Sequence, residues 1–384
     1  MVIQAVEWLS RIEYISKILE DRGYTNEKVL IEVVGKAGDN YVANVKRIII
    51  EKDGKKFSMI AKIAPTSEGL RITMNSKILF SNEHVMYAEV LPKFTDLEIS
   101  AGIPEKERLR YAQCYGSLLE EPNEIILLED LGMSGFVMMD RFVSLTDDAV
   151  KLVLKNFAML HAMGYALRAQ EPETFAMFSD AKYQKYLKGS LGNMLIHGAK
   201  AATVDLASRY SIIQQGDAWT NNIMFTLEEG KPVSCCMIDY QASKQASPVA
   251  DLHYMLFNCT DHPTRSKHYN DWIDYYHNEL EKALSNYGLK ANFVYPRDQL
   301  DADSRRYGKT SFGTSMLLAS VLIRENSDAE KMKAAMEEAF TPEGRPTEEI
   351  MEQSKISTSD ADTIVRFKTR VEGLIDSFLE QGLL

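Results

Sequence analysis

The stretch from residue 212 to residue 241 constrains this chain more than any other. It reads IIQQGDAWTNNIMFTLEEGKPVSCCMIDYQ, in which four residues separate Asp217 from Asn222, and Asp239 follows the second of two strand-like runs. In phosphoryl-transfer enzymes this pattern combines an Asp that faces the acceptor hydroxyl with an Asn and a second Asp that hold Mg²⁺ on the nucleotide phosphates. Mg²⁺ is a hard, octahedral ion that keeps several waters, so it needs only one or two carboxylate or amide oxygens from the protein. The pattern therefore predicts Asp217 as the catalytic residue and Asn222 and Asp239 as metal ligands.

The same residues also fit a simpler interpretation, because Asp, Asn and Gly are common turn formers beside a hairpin. Two further features favour the chemical interpretation. Asp239 ends an apolar run, and the segment SPVADL follows it at residues 247–252. We therefore expect a phosphotransferase site rather than a plain turn.

The residues GDAWTNNIMF at 216–225, MIDYQ at 237–241 and DL at 251–252 carry a more specific signal. They resemble the ecdysteroid kinase-like family, a branch of the aminoglycoside phosphotransferase and choline kinase superfamily. The family pattern usually begins His-Gly-Asp, and this chain has Gln215 at the position of the His. That His normally supports the loop, so the difference bears on loop geometry more than on chemistry. The segment 162–211, where the superfamily builds acceptor specificity, is also shorter than is usual for the family.

The order of predicted elements and the resemblance point to an α+β architecture, a bilobal protein-kinase-like fold. We expect a small β-rich N-lobe with one main helix over residues 1–128 and a larger, mostly helical C-lobe over residues 129–384. An N-terminal helix is expected to pack on the N-lobe, and the main helix is predicted over residues 76–91, where Pro92 stops it. Beyond Asp147, apolar spacing predicts a mostly helical chain. Strand-like runs lie at 29–34, 41–51, 56–64, 109–120 and 124–129, with a hairpin signal at Asp53-Gly54 and possible helix caps at Asp147 and Asp148.

Lys62 and Glu83 are the predicted charge pair of the N-lobe. Lys62 lies in the middle of an apolar strand, where a lysine either faces solvent or reaches a phosphate or carboxylate. Glu83 lies early in the main helix and is the preferred partner, with Glu89 as the competitor and a solvated helix face as the alternative for both. His161, on the apolar face of a later helix, is predicted to be a packed core residue.

Two loops are predicted to contact the nucleotide. The loop 35–41 lacks a G-x-G-x-x-G pattern, and from its residues alone a hairpin turn is nearly as good an interpretation. The resemblance implies that Gly38 and Asn40 in it cover the phosphates. The segment after the last N-lobe strand is predicted to be the hinge, with the carbonyl of Glu129 and the amide of Leu131 facing adenine; a plain connector is the alternative.

Composition excludes several other classes. A net charge of -11 argues against a nucleic-acid-binding protein, and no apolar stretch approaches the ~20 residues that span a bilayer. The N-terminus lacks the basic lead and sustained apolar core of a secretory signal. The four cysteines include no C-x-x-C pattern, so a reducing, cytoplasmic compartment is expected. No protein partner is implied.

These observations predict an ATP-dependent small-molecule kinase that uses ATP and Mg²⁺. The resemblance implies an ecdysteroid or another hydroxylated lipid or xenobiotic as acceptor, and a choline-like amino alcohol is the alternative within the superfamily. A protein acceptor is disfavoured, because Gly216 rather than an Arg precedes Asp217 and no Ala-Pro-Glu segment follows Asp239. A catalytically idle nucleotide- or ligand-binding protein with the same fold is the alternative from another class.

Overall fold

The computed structural model describes residues 2–25, 27–35, 43–179, 208–325, 328 and 361–384. Within these residues the chain forms a β-rich N-terminal lobe and a larger, mostly helical C-terminal lobe. The predicted α+β architecture is therefore confirmed.

An antiparallel sheet in the order β1-β2-β3-β5-β4 forms the N-terminal lobe. Its strands are β1 Val29–Val33, β2 Asn44–Lys52, β3 Lys55–Ile63, β4 Cys114–Leu118 and β5 Ile125–Glu129. Asp53 and Gly54 join β2 to β3 with φ values of 51° and 73°. Positive φ at both central residues is what a two-residue type I′ hairpin requires, and Asp-Gly adopts it at little cost. The resulting register pairs Lys62 with Val45 and Ile126, in the middle of the sheet.

The N-terminal helix α1, Val2–Glu20, packs on this sheet, as predicted. Its buried residues Ile15, Ile18 and Leu19 join the apolar residues of one sheet face in a small core. Each buried aliphatic side chain of this kind contributes ~1.5–3 kcal/mol. Because side chains alternate along a strand, the neighbouring positions of β5 face the opposite side, where they join the larger core shared with the C-terminal lobe.

The prediction that Pro92 stops the main helix was wrong. A short helix α2, Glu68–Met74, precedes the main helix. The main helix starts as α3, Ser76–Val85, and continues through a π-helical turn, Met86–Val90, into α4, Leu91–Ser100. In the π-helical turn the amide of Leu91 bonds the carbonyl of Met86, five residues back. This shift of the hydrogen-bond register places Pro92 in the first turn of α4, where a missing N–H is tolerated.

The C-terminal lobe consists of helices around one large apolar core, with short strands at the cleft. The helices are α5 Asp147–Gln170, α6 Pro172–Ser179, α7 Pro248–Cys259, α8 His262–Ser285, α9 Ala291–Val294, α10 Arg297–Leu322 and α11 Ala361–Glu380. The strands are β6 Val137–Met138, β7 Ile212–Ile213, β8 Ile223–Glu228, β9 Lys231–Met237 and β10 Gln245–Ala246. Thr146, rather than Asp147 or Asp148, caps α5 by accepting a hydrogen bond from the amide of Ala149. Among the described helices, none is long and apolar enough to cross a membrane.

Candidate active site

Lys62 of β3 and Glu83 of α3 form an ion pair, as the sequence predicts. Nζ of Lys62 lies 2.6 Å from Oε2 of Glu83, and both side chains are buried. Helix α3 presents Glu83 to the sheet because Leu79 and Phe80 are buried on the same helix. Glu89, the competing partner, is exposed.

Asn82 attaches the helix that carries Glu83 to the C-terminal lobe. Its buried Nδ2 donates to the carbonyl of Gln241 at 2.7 Å and to the carbonyl of Ser243 at 2.8 Å. Both carbonyls belong to the segment that follows Asp239. The position of the N-lobe helix is therefore fixed by direct bonds to the segment on which the second Asp lies.

Asp239 completes a chain of ion pairs across the cleft. It follows β9 in the left-handed conformation, with φ 60° and ψ 69°, which Asp tolerates better than most residues. Its Oδ1 lies 2.7 Å from Nζ of Lys62, and Oε1 of Gln241 accepts a further bond from that nitrogen at 3.3 Å. Lys62 thus links Glu83 of the N-terminal lobe to Asp239 of the C-terminal lobe.

Asp217 and Asn222 lie beside this chain in the loop between β7 and β8. Nδ2 of Asn222 donates to the backbone carbonyl of Asp217 at 2.9 Å and to its Oδ2 at 3.1 Å. Because the amide nitrogen faces these two oxygens, the carbonyl oxygen of the Asn222 side chain points away from the carboxylate of Asp217. The backbone carbonyl of Asn222 accepts from the amide of Ile238 at 2.9 Å, which holds Asn222 next to Asp239.

The site gathers the carboxylates of Glu83, Asp217 and Asp239 near the ammonium group of Lys62. Burial and the charge of Asp239 raise the pKa of Asp217 to about 7, although a hydrogen bond from Tyr254 and the charge of Lys62 oppose this. Burial raises the pKa of Glu83 to about 7 as well, against the attraction of Lys62. Burial alone would lower the pKa of Lys62, but the charges of Asp239 and Glu83 outweigh it and raise that pKa. The excess of negative charge favours a bound cation.

Asn222 and Asp239 could hold Mg²⁺ at this position. They offer one amide oxygen and one carboxylate, which are the donors this hard cation prefers. In the part of the chain that the structure describes, no group of three or more His, Cys, Asp or Glu side chains is arranged to hold a metal. Water and phosphate oxygens would fill the remaining positions of a Mg²⁺ site. The residues present therefore fit this ion.

Gln215 joins the catalytic loop to the segment that carries Asp239. Its Oε1 accepts from the amide of Asp217 at 2.6 Å, while its Nε2 donates to the carbonyls of Ile238 at 2.8 Å and Asp239 at 3.0 Å. The next residue, Gly216, has φ +88°, and a Cβ there would lie 2.3 Å from the carbonyl oxygen of Ala242. Only glycine therefore fits at position 216. The side-chain amide of Gln215 satisfies three backbone groups next to it.

Asp251 and His161 support the loop from below. One carboxylate oxygen of Asp251 accepts a hydrogen bond from the backbone N–H of Gln215, and the other accepts one from the backbone N–H of Gly216, each at 2.8 Å. Nε2 of His161 lies 3.1 Å from that carboxylate, and its Nδ1 lies 2.8 Å from the hydroxyl of Tyr276. Because a carboxylate only accepts, Nε2 carries the proton. His161 is fully buried, so its predicted place in the core is confirmed.

Replacing Gln215 with Glu should destabilise the protein by ~3 kcal/mol and reduce turnover. A carboxylate cannot donate to the carbonyls of Ile238 and Asp239, so two partly buried acceptors lose their donor and an unpaired charge is introduced at a buried position. Gln215→His should cost only about 1 kcal/mol, because an imidazole can replace one donor and one acceptor. Urea denaturation measures both values, and a Glu variant as stable as the wild type would contradict the bridging role.

The segment after β5 is anchored more firmly than a plain connector. Asp130 is buried; its Oδ2 accepts from Nε of Arg47 at 2.7 Å and from the hydroxyl of Ser58 at 2.6 Å. The side chain of Glu129 pairs with Arg110, and Leu131 is buried at the start of a 3₁₀ turn. These contacts fix the backbone whose carbonyl and amide were predicted to face adenine. That role stays a prediction.

Gly38 and Asn40, predicted in the loop over the phosphates, lie outside the described residues.

The model of the ecdysteroid kinase-like family matches residues 37–204 and 180–289, which together include the loop of Asp217, Asp239 and Asp251. The chain belongs to the ecdysteroid kinase-like family. This membership confirms the resemblance seen in the sequence and supports a small-molecule kinase. No curated protein matches the chain.

Among solved structures, several aminoglycoside phosphotransferases match this ecdysteroid kinase-like chain. An APH(2″) enzyme in complex with GDP and kanamycin has 14% sequence identity and a TM-score of 0.43, and the match covers 85% of this chain and 98% of that one. The GDP complex of a mutant aminoglycoside 2′-phosphotransferase-IIIa has 13% identity, a TM-score of 0.41 and coverage of 85% and 96%. The GDP complex of the wild-type enzyme has 12% identity, a TM-score of 0.41 and coverage of 85% and 98%.

Sequence reasoning missed several residues that hold this ecdysteroid kinase-like site together. Asn82, Asp130 and Tyr254 all contact predicted site residues or their segments. Asn82 is next to Glu83, and Asp130 lies between the two predicted hinge residues, so proximity along the chain points to both. Tyr254 gave no such signal, because it lies far along the chain from Asp217.

Proposed function

We propose that this protein is an ATP-dependent kinase that phosphorylates a hydroxyl group of an ecdysteroid or a similar hydroxylated lipid or xenobiotic. The observation that carries the proposal is the ion-pair chain Glu83–Lys62–Asp239, with Asp217 and Asn222 hydrogen-bonded beside it. This arrangement offers a cation for phosphates, oxygen donors for a metal and a separate carboxylate for an acceptor hydroxyl.

In this proposal residues 1–128 cover the nucleotide and residues 129–384 carry the metal ligands and the acceptor pocket. The backbone of Glu129 and Leu131 binds adenine, and Gly38 and Asn40 cover the phosphates. Lys62, held by Glu83, binds the α- and β-phosphates. The hydrogen bond from Asn82 to the carbonyl of Gln241 holds α3 against the C-terminal lobe. This supports a fixed helix that keeps Glu83 within hydrogen-bond distance of Lys62.

Mg²⁺ bound by Asn222 and Asp239 would neutralise the charge that develops on the leaving phosphates. The carboxylate of Asp217 orients the acceptor hydroxyl and takes its proton late, as the oxygen–phosphorus bond to the acceptor forms and the bond to ADP breaks. The transition state is loose, so positioning and electrostatic stabilisation supply most of the acceleration. The fixed loop around Gln215 and Gly216 supports such positioning.

A small-molecule acceptor suits the segment that follows Asp239. That segment forms a 3₁₀ turn at Tyr240–Ala242 and the short strand β10, and it enters α7 at Pro248. Residues 239–251 are all described, and they include no extended loop that a phosphate could reorganise. Gly216 also supplies no positive charge next to Asp217 that could pair with such a phosphate.

The test is mass spectrometry of a panel of hydroxylated steroids, phenols and amino alcohols incubated with the purified protein and Mg-ATP. A phosphorylated steroid or phenol formed only with active protein would support the proposal and name the acceptor class. A phosphorylated amino alcohol would replace the proposed acceptor with a choline-like one. Nucleotide binding without any product would favour the catalytically idle alternative, and no nucleotide binding would overturn the kinase function.

A further inference from the structure

Tyr254 makes a contact to the carboxylate of Asp217 that the proposed mechanism leaves unexplained. Its phenol O–H donates to Oδ1 of Asp217 at 2.5 Å, while Nδ2 of Asn222 donates to Oδ2 at 3.1 Å. Each carboxylate oxygen therefore accepts one hydrogen bond from a different segment. Since an ionised carboxylate oxygen can accept two, one acceptor position on each oxygen is left for a substrate hydroxyl.

The helix that carries Tyr254 also fixes the backbone of the loop. Asp251 and Tyr254 are three residues apart on α7, so they lie on the same helix face. Asp251 holds the amides of Gln215 and Gly216, and Tyr254 holds the side chain of Asp217. One rigid element thus sets both the position of the loop and the rotation of the carboxylate.

This helix is itself firmly attached. Ser247 caps its N-terminus and donates its hydroxyl to the buried carboxylate of Asp303 at 2.7 Å. At the other end, Arg370 of α11 donates to the backbone carbonyls of Phe257 at 3.0 Å and of Asn258. A phenol on such a helix has little freedom to follow a moving carboxylate, so it restrains Asp217 rather than adapting to it.

We propose that Tyr254 is a positioning residue for phosphoryl transfer, which acts by holding the carboxylate of Asp217 in the orientation that accepts the proton of the acceptor hydroxyl. This inference rests on the proposed function. The acceptor O–H bond breaks and its proton moves to Asp217, the acceptor oxygen bonds to the γ-phosphorus, and ADP leaves. Tyr254 keeps its own proton throughout and contacts neither substrate.

Tyr254→Phe should lower kcat by roughly 10- to 100-fold, the range for losing a hydrogen bond to a charged group. KM for ATP and KM for the acceptor should stay within about twofold, because Tyr254 acts only through Asp217. Tyr87→Phe is the matched control: this buried hydroxyl has no hydrogen-bond partner, so its removal should leave kcat unchanged. Replacing Tyr254 with 4-aminophenylalanine, which keeps an N–H donor at the same reach, should restore most of kcat.

The outcomes separate this inference from the proposed function. Absence of wild-type turnover overturns both. Wild-type turnover with an unchanged kcat in Tyr254→Phe overturns only the role of Tyr254, and a raised KM for the acceptor at constant kcat would instead assign Tyr254 to acceptor binding. If Tyr254→Phe does not fold, 4-fluorophenylalanine and 4-aminophenylalanine at position 254 give the same comparison; equal kcat values for the pair would contradict a role for the donor.

Discussion

Replacing Asp217 with Asn is expected to reduce kcat by about 10³-fold while leaving nucleotide affinity within a few-fold of the wild type. A positioned proton acceptor contributes typically 10²- to 10⁴-fold, and an amide cannot take the proton. The substitution keeps the shape of the side chain and an oxygen that can accept the hydrogen bond from Tyr254. It also removes one of three carboxylates around Lys62, so the repulsion from Asp239 is relieved and the phosphates of a nucleotide meet less negative charge.

Mass spectrometry of the product measures the change in kcat, and calorimetric titration with nucleotide measures the change in nucleotide affinity. Asp148→Asn is a suitable control, since it removes an exposed carboxylate at the start of α5 and should change neither quantity. If Asp217→Asn retained more than a tenth of wild-type turnover, Asp217 would not be the proton acceptor.

Replacing Asp239 with Asn should instead act on the metal-bound nucleotide. The wild-type carboxylate pairs with Lys62 at 2.7 Å and is partly exposed to the cleft, where it can exchange this partner for a metal. An amide supplies no charge to Mg²⁺, so we expect the affinity for Mg-nucleotide to fall by about 100-fold, which corresponds to ~2.7 kcal/mol. Lys62 keeps Glu83 as a partner, and the fold should be retained.

The decisive readout is the ratio of nucleotide affinity with Mg²⁺ to affinity without it. Asp239→Asn should reduce this ratio sharply, because metal-free nucleotide no longer meets the repulsion of that carboxylate. Asn222→Ala is the matched comparison: it removes the other proposed ligand but leaves the ion pair between Lys62 and Asp239 intact. An unchanged ratio in both variants would remove these residues from the metal site.

Several features of the fold could be predicted because they depend on residues close together in the sequence. The Asp53-Gly54 turn requires only two residues that accept positive φ, so the hairpin of β2 and β3 was readable directly. The apolar spacing near the N-terminus likewise indicated a helix that packs on the N-lobe. The helix through Pro92 was not predicted, because local propensity does not indicate a π-helical turn. In that turn Tyr87 packs edge-on against Tyr240, which is distant in sequence, with ring centroids 5.5 Å apart.

The sequence by itself determined which groups the site contains: Lys62, Glu83, Asp217, Asn222 and Asp239, chosen from residue type, spacing and resemblance. Only the tertiary structure decided how they are held. Gln215 stands where the family pattern has His. Its side-chain amide donates to two backbone carbonyls and accepts from one backbone N–H. These bonds depend on the positions that the fold gives Ile238 and Asp239. Tyr254 reaches Asp217 because Asp251 docks α7 under the loop. Such contacts join segments that are distant in sequence, and no local pattern encodes them, since their geometry exists only once the core has packed.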